Sequence, residues 1–191
     1  FFGEEKNTSF FIQKVLGELG IPFVNDVSDY AVIGKIEGAK PGPVIALRAD
    51  IDALPIHETT GLPFASEYDG VMHACGHDAH MSTGLALAHW VADHKDELKG
   101  RIKFLFQPAE EGTGGALAMI KDGLFERFPM DEIYGMHNWT DVEPGTFSVK
   151  SGAAMAGSDL FTIKLHGKGA HGSAPQLSAD AALAASLVTV A

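Results

Sequence analysis

Residues 101–138 decide the fold class, and they read RIKFLFQPAEEGTGGALAMIKDGLFERFPMDEIYGMHN. The stretch opens with an apolar run at 101–106 that predicts a strand. A polar loop follows, then a helix predicted over 116–121 and a strand predicted over 132–136 that leads directly to His137. Strands that alternate with polar loops and helices are typical of an α/β sheet flanked by helices. We therefore expect the chemistry of this protein at one edge of such a sheet.

The region before residue 101 extends the same pattern. Apolar residues at helical spacing predict helices, and short β-branched runs bounded by glycine and proline predict strands. The elements predicted there are helices over 10–19 and 78–98 and strands over 31–36 and 44–47.

A second domain is predicted to begin near Ser158. From there two sets of residues alternate along the chain up to His166: Leu160, Thr162, Lys164 and His166 in one set, and Phe161, Ile163 and Leu165 in the other. A glycine-rich loop follows, and then a helix predicted over 179–191. We therefore predict one domain over 1–157 and the start of another over 158–191. The chain opens without a methionine and stops inside the last predicted helix, so we expect it to be a fragment of a longer protein.

The composition is typical of a globular enzyme, with 46% hydrophobic and 20% charged residues. No apolar run approaches the roughly 18 to 20 residues that span a bilayer, so we expect no membrane partner and a cytoplasmic location. Fourteen basic and 25 acidic residues give a formal charge of -11. The basic residues form no cluster, which argues against nucleic acid as a partner.

Three histidines and the only cysteine lie within residues 73–80, HACGHDAH. A cysteine thiolate and a neutral imidazole are both good ligands for a borderline-soft divalent ion. Gly76 lets the backbone bend, so that Cys75 and His77 can face one centre. A lone cysteine is more often a buried apolar residue, but beside His77 the metal-ligand interpretation is favoured.

Two adjacent carboxylates, Glu110 and Glu111, follow the strand predicted over 101–106. Such a pair is costly to bury unless a cation or a shared proton compensates. In a metal site, one carboxylate can bind the ion while the other takes a proton from water. A solvated loop is the alternative, but the preceding apolar strand and the following glycines favour a site. Those glycines lack the spacing of a phosphate-binding loop.

His137 ends the strand predicted over 132–136. A histidine there can be a hydrogen-bonded edge residue, but its place at the same edge as the other candidates supports a ligand. Four donors from three loops suffice for two ions if a thiolate or carboxylate bridges them. These donors are Cys75, His77, Glu111 and His137.

Five motifs resemble those of the aminoacylase/carboxypeptidase superfamily, peptidase family M20. The resemblance is to the branch of hippurate hydrolases, N-acetyldiaminopimelate deacetylases and plant auxin-conjugate hydrolases. The motifs occur in the family's order and cover nearly the whole chain. They are RADIDALP at 48–55, MHACGHD at 72–78, FQPAEEG at 106–112, GMHN at 135–138 and GKGAH at 167–171.

The resemblance implies a metal-dependent amidohydrolase that cuts the amide bond of N-acyl amino acids with a metal-activated water. It implies a catalytic domain over 1–157, with a dinuclear metal site at the strand ends, and a smaller α/β lid domain that begins at 158. The lid domain implies a homodimer or a higher homo-oligomer. The two divalent ions would be zinc or manganese first, and cobalt or nickel next.

The resemblance also implies the roles of single residues. Glu110 would be the general base and later the acid, and Cys75 would bridge the metals. His171, on the lid domain, would reach a substrate carbonyl or oxyanion in the site of a partner subunit. The implied metal ligands are Cys75, His77, Glu111 and His137.

Three positions depart from the family or extend it. Asp50 stands where many relatives have the histidine of a His-x-Asp metal motif. Asp52 is expected to orient a ligand rather than to bind metal, and His80 to do likewise or to cap and pack its helix. The family's last metal ligand is a histidine near the C-terminus of the full protein, beyond this chain. We therefore expect the chain alone to be a poor catalyst.

Three alternatives stay open at this point. A dipeptidase or carboxypeptidase would use the same metals on a free peptide. A non-catalytic module would keep the metal for stability. A nucleophilic Cys75 would leave the Glu110–Glu111 pair and His137 without a role.

Overall fold

The computed structural model describes residues 1–112, 114–157 and 159–190. The chain divides into two compact units, Phe1–Glu143 and Pro144–Ala191. The predicted start of the second domain, Ser158, lies outside the described residues. The predicted domain bounds therefore stay a prediction.

The first unit is built on a five-stranded sheet with the strand order β1-β2-β4-β3-β5. β2 runs antiparallel to β1 and β4, whereas β3 runs parallel to both β4 and β5. The carboxyl ends of three parallel neighbours meet at one edge of the sheet. The strands are β1 Phe23–Val24, β2 Val32–Glu37, β3 Lys40–Asp50, β4 Lys99–Gln107 and β5 Glu132–Gly135.

Helices cover both faces of this sheet. On one face, α1 and α2 bury apolar side chains against the even-numbered residues of β4, among them Phe104 and Phe106. On the other face, Met119 of α3 and Leu124 of α4 pack with Leu105. Alternating side chains point to opposite faces, so β4 contributes to both cores. The helices of this unit are α1 Lys6–Glu18, α2 His77–Asp93, α3 Gly115–Lys121 and α4 Leu124–Arg127.

The predicted α/β sheet flanked by helices is confirmed. All seven elements predicted before residue 137 are present, although α2 ends at Asp93 rather than at 98. β3 begins at Lys40, earlier than the predicted 44, because Pro41, Gly42 and Pro43 continue the strand through an irregularity in register. β1 and α4, both very short, were not predicted.

The second unit contains a 3₁₀ turn at Pro175–Leu177 and the helix α5 at Ala181–Val190. Oδ1 of Asp180 accepts hydrogen bonds from the backbone N–H groups of Ala182 and Leu183, at 2.9 and 3.0 Å. Asp180 therefore caps α5. Residues 159–166, which include the two alternating sets noted in the sequence, form no strand.

Within the described parts of the chain, no helix has both the length and the apolar character needed to cross a membrane.

Candidate metal centre

The predicted metal ligands lie at the edge where β3, β4 and β5 end. β4 ends at Gln107, just before Glu110 and Glu111, and β5 ends two residues before His137. Cys75 and His77 lie at the start of α2. The sheet topology therefore brings three separate loops to one place, as the sequence predicted.

Gly76 allows Cys75 and His77 to approach this edge together. It is the residue before α2 and has φ +82°, in the left-handed region that favours glycine. A Cβ atom at this position would lie 2.4 Å from Oδ1 of Asn138. Both the turn and the close approach of the loop after β5 therefore require glycine.

The imidazole of His77 is held by Asp52. Its Nδ1 donates to the backbone oxygen of Asp52 at 3.0 Å and to Oδ1 at 3.1 Å. Both partners can only accept, so the hydrogen of a neutral ring lies on Nδ1 and the lone pair lies on Nε2. His77 and Asp52 are both fully buried side chains. The role of Asp52 in orienting a metal ligand stays a prediction, which this contact supports.

Asp52 also holds Glu111. Its Oδ2 accepts a hydrogen bond from the backbone N–H of Glu111 at 2.9 Å. Burial alone would raise the pKa of Asp52, but the hydrogen bonds from His77 and from the Glu111 backbone outweigh it and lower the pKa. Asp52 therefore links two predicted ligands from opposite sides of one carboxylate.

His137 is oriented in the same way as His77. Its Nδ1 donates to the backbone oxygen of Asn138 at 2.7 Å, so the lone pair of a neutral ring lies on Nε2. Nε2 lies 3.4 Å from Sγ of Cys75. Burial, followed by the hydrogen bond to Glu111 and the charge of that carboxylate, raises the pKa of the Cys75 thiol to about 11.

Two buried polar atoms face each other at the centre. Nε2 of His77 and Oε1 of Glu111 lie 4.0 Å apart, and neither has a hydrogen-bond partner among the described residues. Buried polar groups are normally satisfied. An electron-pair donor on each side of one point, both unsatisfied, fits a bound divalent cation.

The donor atoms fall into two groups that share His77. Cys75, His77 and His137 offer ligand atoms within 4.8 Å of one another, and so do His77, Glu110 and Glu111. Thiolate, imidazole and carboxylate together suit zinc, and the last two also suit manganese. The residues present therefore fit the two divalent ions that the sequence predicted.

The electrostatics of the centre also favour a cation. Burial would lower the pKa of His77, yet the hydrogen bond to Asp52 and the charges of Asp50 and Asp52 raise it overall. The carboxylates thus stabilise positive charge on or beside this imidazole, whether a proton or a metal ion supplies it.

A third group of donors consists of Asp50, His77 and His80, all buried. Asp50 forms an ion pair with Arg48, and Nε of Arg48 donates to Oε1 of Gln107 at 2.9 Å. Burial raises the pKa of Asp50, although the neighbouring Arg48 opposes the rise. Asp50 is thus engaged with a cation of the chain itself.

His80 contacts the loop that carries His137. Its Nε2 lies 2.9 Å from Oδ1 of Asn138, and its Nδ1 lies 3.5 Å from Oδ2 of Asp50. The ring therefore connects the ends of β3 and β5. Sequence reasoning assigned no role to Asn138 or Arg48, because a single asparagine in a loop or a single arginine in a strand carries no recognisable spacing.

His171 lies in the second unit. Its Nδ1 accepts a hydrogen bond from the backbone N–H of Ser173 at 3.2 Å and lies 2.9 Å from the Ser173 hydroxyl. With Nδ1 as an acceptor, the hydrogen of a neutral ring lies on Nε2. Within the described part of the chain, no hydrogen bond engages this Nε2–H donor, and the predicted contact of His171 with a substrate stays a prediction.

The sequence model of peptidase family M20/M25/M40 matches residues 46–191. An N-acetyl-L-cysteine deacetylase of Bacillus subtilis is 46% identical over 188 residues, which are 98% of this chain and 45% of that protein. A hippurate hydrolase of Campylobacter jejuni is 43% identical over 98% of this chain and 49% of its own length. The chain thus spans about half the length of these curated relatives.

A solved structure gives the same result for the fold. The crystal structure of a Bacillus subtilis protein, described as a dinuclear metal-binding peptidase of the M20 family, superposes with a TM-score of 0.74 and 45% identity. The match covers 80% of this chain and 42% of that one. The resemblance predicted from the five motifs is therefore confirmed.

Proposed function

This chain belongs to peptidase family M20/M25/M40, and we propose that its full-length protein hydrolyses the amide bond of N-acyl amino acids with the help of two divalent metal ions. The deacetylase and hippurate hydrolase names of two relatives support this substrate class. The description of the structural neighbour as a dinuclear metal-binding peptidase supports the number of ions.

The observation that carries the proposal is the unsatisfied pair formed by Nε2 of His77 and Oε1 of Glu111, 4.0 Å apart. We assign Cys75, His77, Glu111 and His137 as the residues that would hold the ions, which would be zinc or manganese. Bound there, the ions would polarise the substrate carbonyl and lower the pKa of a water to about 7.

Glu110 is the general base in this proposal. Its carboxylate lies beside Glu111 and His77, with ligand atoms within 4.8 Å, and its side chain is exposed. It takes one proton from water as the water oxygen bonds to the amide carbon. When the carbon–nitrogen bond breaks, Glu110 gives that proton to the leaving nitrogen. The products are a carboxylic acid and an amino acid with a free amino group.

His171 is assigned to the carbonyl oxygen of the substrate. Its donor is Nε2–H, because Nδ1 accepts a hydrogen bond from the backbone N–H of Ser173. A donor of this kind stabilises negative charge that develops on oxygen during the reaction. We propose that it serves the site of a partner copy, in a homodimer or higher homo-oligomer formed through the second unit. The cytoplasmic location also stays a proposal.

A peptidase that cleaves a free peptide is the second candidate, and the peptidase description of the structural neighbour favours it. The two candidates differ in what stands on the amino side of the scissile bond. An N-acyl amino acid presents an uncharged acyl group there, whereas a dipeptide presents an ammonium group. The same amino acid offered as its N-acetyl derivative, its N-benzoyl derivative and a dipeptide separates them.

The test combines metal analysis and hydrolysis on the full-length protein. About two divalent ions per chain and faster turnover of the acylated compounds than of the dipeptides are expected. Preference for dipeptides would replace the proposal with the peptidase, and metal without turnover of either would indicate a metal-binding module. Absence of bound metal after reconstitution would overturn the ligand assignment itself.

A further inference from the structure

A buried carboxylate near the amino terminus contacts the loop that carries Glu110 and Glu111. Glu5 is only 3% exposed. Its Oε1 accepts a hydrogen bond from the backbone N–H of Ala109 at 2.9 Å, across 104 residues of sequence. The same oxygen accepts from the backbone N–H of Gly3 at 2.8 Å. Glu5 thus joins the start of the chain to the residue that precedes Glu110.

Ala109 has an unusual backbone conformation. Its φ is +53°, one of three positive φ values of non-glycine residues among those the structure describes. A residue with a Cβ atom adopts the left-handed region only where its surroundings hold it there. The backbone of Ala109 is held on both sides, since its N–H donates to Glu5 and its oxygen accepts from the N–H of Gly115 at 3.0 Å.

The amino-terminal segment also contacts the loop beyond the two glutamates. A Cβ atom at Gly112 would lie 2.8 Å from the ring of Phe2, so this ring lies directly against the Gly112 backbone. Phe2 and Glu5 therefore contact the loop on either side of Glu110 and Glu111.

Packing alone does not account for Glu5. A glutamate is rarely buried without a partner cation, and none of the ion pairs in the described part of the chain includes Glu5. The second carboxylate oxygen of Glu5, Oε2, is buried and has no hydrogen-bond partner among the described residues. An apolar residue would fill this space without an unsatisfied oxygen. What the carboxylate supplies is an acceptor for the N–H of Ala109.

We infer that Glu5 is a positioning residue for the Glu110–Glu111 loop, an inference that rests on the proposed function. By accepting the Ala109 N–H, it keeps Ala109 in the left-handed region, which sets the direction in which the Glu110 side chain leaves the loop. Without this acceptor, Ala109 can relax to a right-handed conformation, and the Glu110 carboxylate then turns away from the scissile bond.

The test compares three variants of the metal-loaded, full-length protein. Glu5→Ala removes the acceptor, and Glu5→Gln keeps an amide oxygen that can accept both N–H bonds. Glu4→Ala removes an exposed carboxylate from the same segment and is the matched control. The readouts are kcat, KM, metal content, melting temperature and the hydrogen exchange of the Ala109 amide.

Glu5→Ala is expected to lower kcat about 10- to 100-fold, as for other small misplacements of a catalytic group, with KM and metal content little changed. The Ala109 amide should exchange faster than in the wild type. In Glu5→Gln, both kcat and the exchange rate of the Ala109 amide should stay near their values in Glu4→Ala. In a Glu110→Gln background, Glu5→Ala should lower kcat no further, because both changes then act on one function.

The inference is wrong if Glu5→Ala matches Glu4→Ala in both kcat and exchange. It is equally wrong if kcat per folded molecule is unchanged and only the melting temperature falls. A wild-type protein without amidase activity would contradict the proposed function instead. The exchange of Ala109 would still decide whether Glu5 holds the loop.

Discussion

Asp52 accepts a hydrogen bond from Nδ1 of His77 at 3.1 Å, so that the imidazole presents Nε2 to the metal centre. The other oxygen of the same carboxylate accepts the backbone N–H of Glu111 at 2.9 Å. One aspartate thus fixes the positions of two proposed ligands that come from different loops. The precision of the centre depends on a residue that is not itself assigned as a ligand.

Replacing Asp52 with asparagine should weaken metal binding. Asparagine has nearly the same shape but only one acceptor oxygen, so either the His77 ring or the Glu111 backbone loses its partner. Loss of such an orienting contact typically lowers metal affinity about 10- to 100-fold. Competition with a chelator of known affinity measures the change.

The matched control for this change is Asp96→Asn at an exposed position. It removes the same charge from the chain and should leave the affinity as it was. If Asp52→Asn binds metal as tightly as this control, the link through Asp52 does not set the ligand positions.

Replacing Glu110 with glutamine should abolish most turnover and leave the metal in place. The amide cannot take a proton from water, and general-base catalysis typically contributes about 10²- to 10⁴-fold. We expect kcat to fall within that range, with metal content unchanged by elemental analysis. Glu97→Gln, at an exposed position, is the control. A Glu110→Gln variant that keeps its rate would remove Glu110 from the role of base.

The edge location of the site was predictable because it depends on local pattern. The apolar run at 101–106 lies within β4, the run at 132–136 forms β5 up to Gly135, and polar residues follow each run directly. Parallel strands place such residues together, so Glu110, Glu111 and His137 could be assigned to one edge. The family resemblance added the ligand roles, which the spacing of the residues alone does not give.

Other features depend on contacts between distant residues and have no local pattern. The adjacent glutamates before α1 resemble an ordinary polar helix start, and only the folded chain shows Glu5 against Ala109. The stretch with Pro41, Gly42 and Pro43 resembles a turn but continues β3. A Cβ atom at Gly42 would lie 2.7 Å from the backbone nitrogen of Gly100, so glycine there permits a close strand contact.

The thiol of Cys75 should react slowly with iodoacetamide in metal-free protein. Its pKa, raised to about 11 by burial and then by the neighbouring Glu111 carboxylate, keeps the unreactive protonated form dominant near pH 8. Because the thiolate is the nucleophile, the alkylation rate should rise about tenfold per pH unit between pH 7 and 9.5. Mass spectrometry of the peptide that contains Cys75 follows the reaction.

Free cysteine, added at low concentration, provides the reference for this titration. Its pKa of about 8.5 predicts a rate that levels off above pH 9, whereas the rate at Cys75 should still rise. A plateau at Cys75 below pH 9 would show that the environment does not raise its pKa. Bound metal is expected to block the reaction at every pH, since the ligand thiolate is then occupied.

Gly76→Ala should destabilise the protein and disturb the metal centre together. The new Cβ atom would lie 2.4 Å from Oδ1 of Asn138, and the φ of Gly76 is +82°.

Gly61→Ala is the matched control, since Gly61 has φ +67° and no atom would lie within 4 Å of its Cβ. The left-handed conformation alone costs about 1 to 2 kcal/mol, and both variants should show it. Steric overlap should add about 1 to 3 kcal/mol for Gly76→Ala only, measured by urea unfolding. Equal losses of unfolding free energy in the two variants would show that Asn138 moves aside freely and that the close contact does not constrain the Cys75–His77 turn.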